Sequence, residues 1–313
     1  MTGINWAEWG LSEPVRAEPV NGGLINTSLR AQWADGTVRF VQRVNLGVFQ
    51  NLAAIEANLH LAQNHPIRNL AILPLRRRDG GIHSAEGWRI FPWTADYPKQ
   101  IGPQELGEFW GTLNSVLFTT KADWKTVVPN FHSAAVRWNQ WQAARLNVPN
   151  EYLDLAEFLN QWSEQFLQLE SELLPAVQHH DAKHSNVLNT VSGLRAIDLD
   201  TLQPGYLGSD FADLVRSTAA LRGEDDPLPN SANAAAFEAA WKGYSSGFNM
   251  AAKYISTLRQ MPAYLTWIQA LRFATDAADG NRYYRVSYPE HNWVRANNQA
   301  QLLRSLVEIC DRD

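Results

Sequence analysis

The chain is 313 residues long, 45% hydrophobic and 19% charged, which is too apolar for a disordered segment and long enough to bury one or two cores. Its net charge of -5 lacks the cationic excess that a nucleic-acid backbone calls for, so nucleic acid is not expected as a partner. A single cysteine, Cys310, excludes an internal disulfide framework, and no Cys/His spacing resembles a zinc site. The opening residues carry Asn5 and Glu8 in place of a basic start and an apolar stretch, and no apolar run reaches the roughly eighteen residues of a membrane span. A cytoplasmic protein that neither crosses nor coats a membrane is expected.

Strands are expected from about 15 to 45. Asn21-Gly22-Gly23 marks one turn and Ala34-Asp35-Gly36 a second, after which Thr37 to Arg43 alternates roughly with period two. Asn51 then reads as the N-cap of a helix carrying Leu52, Ile55, Leu59 and Ala62 on one face until Pro66. Beyond residue 100 the periodicity is helical. Patterns cover 104–117, 133–146, 210–221, 233–257, 264–278 and 292–309, and Leu155, Phe158, Leu159, Trp162, Phe166 and Leu169 stripe one long helix. The change of character falls near residues 88–98, where Phe91-Pro92-Trp93 suits a connector. An α+β chain is expected, divided into 1–92, small and strand-rich with one helix, and 93–313, larger and mostly helical.

The chemistry concentrates in His179-His180-Asp181-Ala182-Lys183-His184-Ser185-Asn186 and the segment after it. Val187-Leu188-Asn189, a turn over 190–193, and 194–197 read as a hairpin ending in Asp198-Leu199-Asp200. A hairpin centred on Ser192 pairs Leu188 with Ala196 and sets Asn186 opposite Asp198, bringing an amide oxygen and a carboxylate together. That pair suits Mg²⁺, a hard ion that takes one or two protein carboxylates and completes its shell with water and phosphate oxygens. Asp181, five residues before Asn186, follows the kinase pattern of a base Asp succeeded by a metal-binding Asn. A rival metal-hydrolase reading of His180 and His184 needs a helix there, and the Val187-Leu188 strand argues against one.

His179 to Asn186, with Ile197-Asp198-Leu199-Asp200, resembles the catalytic motif of the aminoglycoside phosphotransferase and choline kinase superfamily. Gly22 to Thr27, Val41-Gln42-Arg43-Val44-Asn45 and Trp88-Arg89-Ile90-Phe91 are similar to its N-acetylhexosamine 1-kinase branch, as are Arg272 to Asp276 and Tyr288 to Arg295. The resemblance implies a bilobal protein-kinase-like fold, ATP and Mg²⁺ as cofactors, and a small-molecule acceptor, most simply the anomeric hydroxyl of an N-acetylhexosamine. The same fold also serves other sugars, aminoglycosides, choline and amino acids.

On that resemblance Asp181 is the base and Asn186 and Asp198 hold metal; Asp200 reaches a second metal ion or holds the loop by hydrogen bonds, the metal role being favoured. Gly22, Gly23, Asn26, Thr27, Arg43, Glu56 and Phe91 belong to the nucleotide side, with an Arg43–Glu56 ion pair like the kinase lysine–helix pair. Arg272 and Asp276 belong to the acceptor side. Asp210 is expected to brace the catalytic loop.

Overall fold

The computed structural model describes residues 3–20, 26–47, 49–95, 100–249 and 254–311. Two compact units result, one of Met1–Gln100, Thr119–Pro129 and Ser185–Pro204, the other of Ile101–Phe118, Asn130–His184 and Gly205–Asp313. The sequence cuts the chain once, at 92/93; in the structure the segment 185–204 returns to the strand-rich unit.

In the first unit the alternation of apolar residues builds an antiparallel sheet in the order β1 (Arg16–Pro19), β2 (Thr27–Gln32), β3 (Val38–Arg43) and β4 (Trp88–Pro92). The turn at 34–36 closes β2 onto β3, with Gly36 at φ 84° and the Asp35 carboxylate accepting the Thr37 amide at 2.8 Å. Asn21-Gly22-Gly23 lies outside the described residues. Because side chains alternate, the two faces differ in chemistry. Leu29, Ala31, Val41, Trp88 and Ile90 pack against Trp6, Trp9 and Trp33, whereas Ser28, Phe40, Gln42, Arg89 and Phe91 point the other way.

Helix α1 (Leu52–Asn64) starts where expected, Asn51 Oδ1 accepting the Ala54 amide at 3.1 Å. Its buried Asn58 ties three segments of this unit together, donating to the carbonyls of Lys125 and Leu202 at 2.8 Å each and accepting the Lys125 amide at 2.7 Å. The catalytic-segment hairpin docks on the same unit, since Ala196 exchanges backbone hydrogen bonds with Leu70 and Ile72 at 2.8 Å.

The second unit is built from helices: α2 (Pro103–Thr119), α3 (Ala134–Ala144), α4 (Leu153–Gln161), α5 (Ser163–Glu172), α6 (Ser209–Thr218), α7 (Ala234–Gly247), α8 (Ile255–Ala278) and α9 (His291–Cys310). The single helix expected through 155–169 is broken at Trp162. There Ser163 Oγ donates to the Asn160 carbonyl at 2.8 Å, and Asn160 Oδ1 receives the Trp141 indole at 2.9 Å. The 233–257 pattern ends at 247, and the next helix begins at 255 rather than 264. Gly107 and Gly111 of α2 meet Gly243 and Gly247 of α7 so closely that a Cβ on Gly243 would lie 1.9 Å from the Gln104 carbonyl oxygen. Apolar residues of α8 and α9, among them Tyr264, Trp267, Leu271, Leu303 and Leu306, are fully buried. No helix among the described residues is long and apolar enough to cross a membrane.

Candidate active site

In the helical unit, the segment before Asp181 is fixed by a carboxylate. Asp210, fully buried in the first turn of α6, accepts the His179 amide on Oδ2 at 2.9 Å and the His180 amide on Oδ1 at 2.7 Å, the bracing role expected of it. Burial pushes its carboxyl above the usual range, while His179 and these amides pull the other way. His180 turns the chain with φ 63° and lays its ring over Gly205, where a Cβ would come within 2.2 Å of the imidazole. Only glycine fits there. Asp181 emerges from this turn 35% exposed, Lys183 Nζ standing 2.9 Å from its Oδ2. Lys183 was visible in the sequence only as a residue inside the motif; its Asp-x-Lys spacing is the signal that could have suggested an ion pair.

A column of rings flanks the loop. His180 Nδ1 and His132 Nδ1 are 3.3 Å apart, His132 stacks on Phe131 at 4.5 Å, and the Arg272 guanidinium sits 5.6 Å from the Phe131 ring. Tyr283 and Tyr284 enclose Arg272 from other sides at 5.9 and 5.5 Å. Asp276, expected at the acceptor, is instead the hub of the 282–284 loop. It accepts the amides of Arg282, Tyr283 and Tyr284 and the Asn292 side chain, all at 2.7–2.9 Å, so both oxygens are engaged within the protein.

In the strand-rich unit, the hairpin of β5 (Val187–Thr190) and β6 (Gly193–Ala196) differs by one residue from the expected register. Val187, not Leu188, faces Ala196, and the Ile197 amide bonds the Asn186 carbonyl at 3.0 Å. The cause is the turn: Val191 and Ser192 keep negative φ and Gly193 takes φ 94°, the type I turn with a following left-handed residue. The direct Asn186–Asp198 opposition is therefore not formed. Both residues leave the open end of the hairpin one position apart in register. Asp198 adopts the left-handed conformation, φ 60° and ψ 59°, and starts the turn Leu199–Thr201.

Asp200 sits in that turn, 1% exposed, and Arg89 of β4 grips both of its oxygens; Asn26 Nδ2 adds a longer bond to Oδ2 at 3.3 Å. With both oxygens held by Arg89, Asp200 braces the turn, the second of the two roles expected of it. Removing one partner of such a buried pair costs about 3–5 kcal/mol. Asn26, expected at the nucleotide, likewise spends its side chain on protein, its Oδ1 taking the Asn45 amide at 2.9 Å. The Arg43–Glu56 pair is absent too. Arg43 Nε donates to the Glu86 carbonyl at 3.0 Å, while Glu56 holds the amides of Ile82 and His83 and the His83 ring at 3.0 Å. Burial and then the Arg89 charge hold the His83 imidazole below its usual pKa. Thr27 and Arg43 do line a cavity of about 240 Å³ with Val44, Asn45 and Leu46. Phe91 shares the face of Gln42 and Arg89, its ring 6.0 Å from that of Phe40. Gly22 and Gly23 lie outside the described residues.

Residues 16–246 match the APH family, the phosphotransferase enzyme family. The chain belongs to this family. Its fold is shared with an aminoglycoside phosphotransferase of Alicyclobacillus acidocaldarius, at 16% identity, 99% of this chain, 97% of that chain and a TM-score of 0.64. A choline kinase of Cryptosporidium parvum is similar at 13% identity over 94% of this chain and 90% of that one, with a TM-score of 0.61. The amicoumacin kinase hAmiN, described in complex with AMP-PNP, Ca²⁺ and Ami, matches at 14% identity, 96% and 89% coverage and a TM-score of 0.58. The phosphotransferase chain thus has the protein-kinase-like α+β fold, a small antiparallel sheet followed by a larger helical part.

The donor chemistry at the hairpin's open end fits a magnesium ion, since Asn186 and Asp198 offer one amide and one carboxylate, hard oxygens both. Among the described residues no group of three or more His, Cys, Asp or Glu forms a metal cage. A cation held by Asn186 and Asp198 would accordingly keep positions for phosphate oxygens and water.

Proposed function

We propose that this phosphotransferase moves the γ-phosphoryl group of ATP to a hydroxyl of a small molecule, a sugar before others, and that the resemblance of its terminal motifs points to the anomeric hydroxyl of an N-acetylhexosamine. The observation that carries the reading is the Asp181 loop. Two backbone amides on Asp210, a left-handed turn at His180 and an ion pair to Lys183 hold one carboxylate in a fixed, accessible position. Such a group can orient and deprotonate an acceptor hydroxyl. Lys183, 2.9 Å from Asp181 Oδ2, holds that carboxylate in place and offers a cation to an incoming phosphate.

Asn186 and Asp198 would hold Mg²⁺, whose contribution is to neutralise charge on phosphate oxygens. Thr27 and Arg43, lining their cavity, are assigned to the polyphosphate, and Phe91 to the nucleotide base. Arg272, immobilised among Phe131, Tyr283 and Tyr284, is assigned to the acceptor; its planar, fixed guanidinium suits hydroxyl or amide oxygens.

The test is a panel of acceptors with coupled ADP detection, covering N-acetylhexosamines, other sugars, aminoglycosides, choline and amino acids, with phosphorus NMR on any product. An anomeric phosphate on an N-acetylhexosamine supports the full reading. Turnover confined to another alcohol overturns the sugar assignment and keeps the kinase, and no ADP release with any acceptor overturns both.

A further inference from the structure

Arg89 has no assigned part in the transfer, yet among the described residues it is the most deeply buried arginine or lysine of the strand-rich unit, 1% exposed. A guanidinium is held out of water only when its donors are matched. Four contacts do so: Nη1 and Nη2 grip the two Asp200 oxygens, and Nε and Nη2 both reach Gln42 Oε1, at 3.1 and 2.6 Å. Gln42 stands directly opposite Arg89 in the sheet register, so the anchor is a two-strand platform.

We infer that Arg89 is a positioning residue for the metal site: by clamping Asp200 it fixes the three-residue turn that aims Asp198. This rests on the reading of Asp198 as a metal ligand. The turn Leu199–Thr201 begins at Asp198, in a left-handed conformation that a non-glycine residue holds only when its surroundings impose it. Two residues on, the Asp200 side chain is pinned on both oxygens by Arg89 and on one by Asn26, leaving the turn little room to relax. The clamp reaches farther. His83, which titrates low partly because of Arg89, is bonded through its ring to Glu56 of α1 at 3.0 Å. The helix glutamate and strand cation that kinases use to order this region are both here, with the cation on β4 and a histidine between them. Glu56 is thereby taken up by His83 and not by Arg43.

Calorimetry of AMP-PNP binding with and without Mg²⁺ isolates the effect, because the affinity gained on adding Mg²⁺ is the coupling between the ion and the nucleotide. In Arg89→Lys, and less strongly in Gln42→Met, that gain should fall about tenfold or more while metal-free affinity stays within about twofold, the loss typical of groups that orient metal ligands. Asp198→Asn should remove the gain. A folded Arg89→Lys protein that keeps the whole gain, or loses both affinities equally, overturns the positioning role. Should Arg89→Lys fail to fold, Gln42→Met decides by the same criteria. If Asp198→Asn retains the gain while the wild type shows it, the ligand assignment fails first, and the role of Arg89 with it.

Discussion

Arg43 and Arg89 occupy adjacent strands and have opposite fates. Arg43, the last residue of β3, is exposed, with one bond to a backbone carbonyl and its side chain beside a 240 Å³ cavity; Arg89 is buried and saturated. The alternation of β3 decides this, because Gln42 faces the buried pair and its neighbour Arg43 must face away. A kinase-like assignment of Arg43 to the helix glutamate follows from position in sequence alone and misses the pleat. On the proposed function, Arg43 meets the polyphosphate. Replacing it with Met should raise the KM for ATP about tenfold, the worth of one charge-assisted contact, with kcat within about twofold. Steady-state kinetics at saturating acceptor measure both, and an unchanged KM would remove Arg43 from the nucleotide side.

The loop carrying Asp181, the proposed base, is held by parts that come from different places in the chain. Asp210, in the first turn of α6, fixes the amides of 179 and 180, and Gly205 gives the His180 ring its space. The sequence shows Pro204-Gly205 as a break between patterns and cannot show that an imidazole lies over it 25 residues away. Gly205→Ala should therefore lower stability by about 1–3 kcal/mol through forced displacement, and should lower turnover as well because His180 adjoins the base. Urea denaturation and ADP release together check it; a variant of wild-type stability would mean that the ring yields at no cost. The hairpin teaches the same lesson. Its two strands and polar ends were legible from alternation, but its register hangs on the conformation of Gly193, and a one-residue shift separates Asn186 from the direct opposition that pattern reasoning assigns it. Asp276 and Asp200 were legible as chemistry-bearing residues, while the amides and the arginine that claim them depend on packing between distant segments.

For the whole molecule, buried titratable groups make stability depend on pH in opposing directions. Asp213 of α6 is raised to about 7 by burial, with Asp181 and Asp210 reinforcing the rise and Arg216, 3.1 Å away, opposing it. Between the ordinary carboxyl value near about 4 and this raised one, the folded chain keeps a proton that the unfolded chain has released, so this contribution declines as pH rises to neutrality. His132 is lowered well below 6.5, chiefly by burial and then by the charges of His180, Arg272, Arg216 and Arg137. Below about pH 6.5 the unfolded chain takes up a proton that folded His132 refuses, so this contribution declines as pH falls. Denaturation midpoints from about pH 4 to 8 should rise more steeply toward neutrality in Asp213→Asn than in wild type, and less steeply in His132→Gln. Identical slopes in all three would place neither group in a buried, titrating position. The general plan of strand-rich and helical parts was readable from periodicity; the return of 185–204 to the strand-rich unit was not, because backbone bonds from Ala196 to Leu70 and Ile72 join segments more than a hundred residues apart.

The central claim is that Asp181 serves as the proton acceptor in phosphoryl transfer. Asp181→Asn, assayed for ADP release at saturating ATP, Mg²⁺ and the acceptor found in the panel, with ATP affinity measured alongside, tests it most directly. Turnover should drop by about a hundredfold or more with nucleotide affinity nearly unchanged, the loss expected when a positioned base is removed and its shape is kept. Near-normal turnover in this variant would mean that Asp181 is not the proton acceptor.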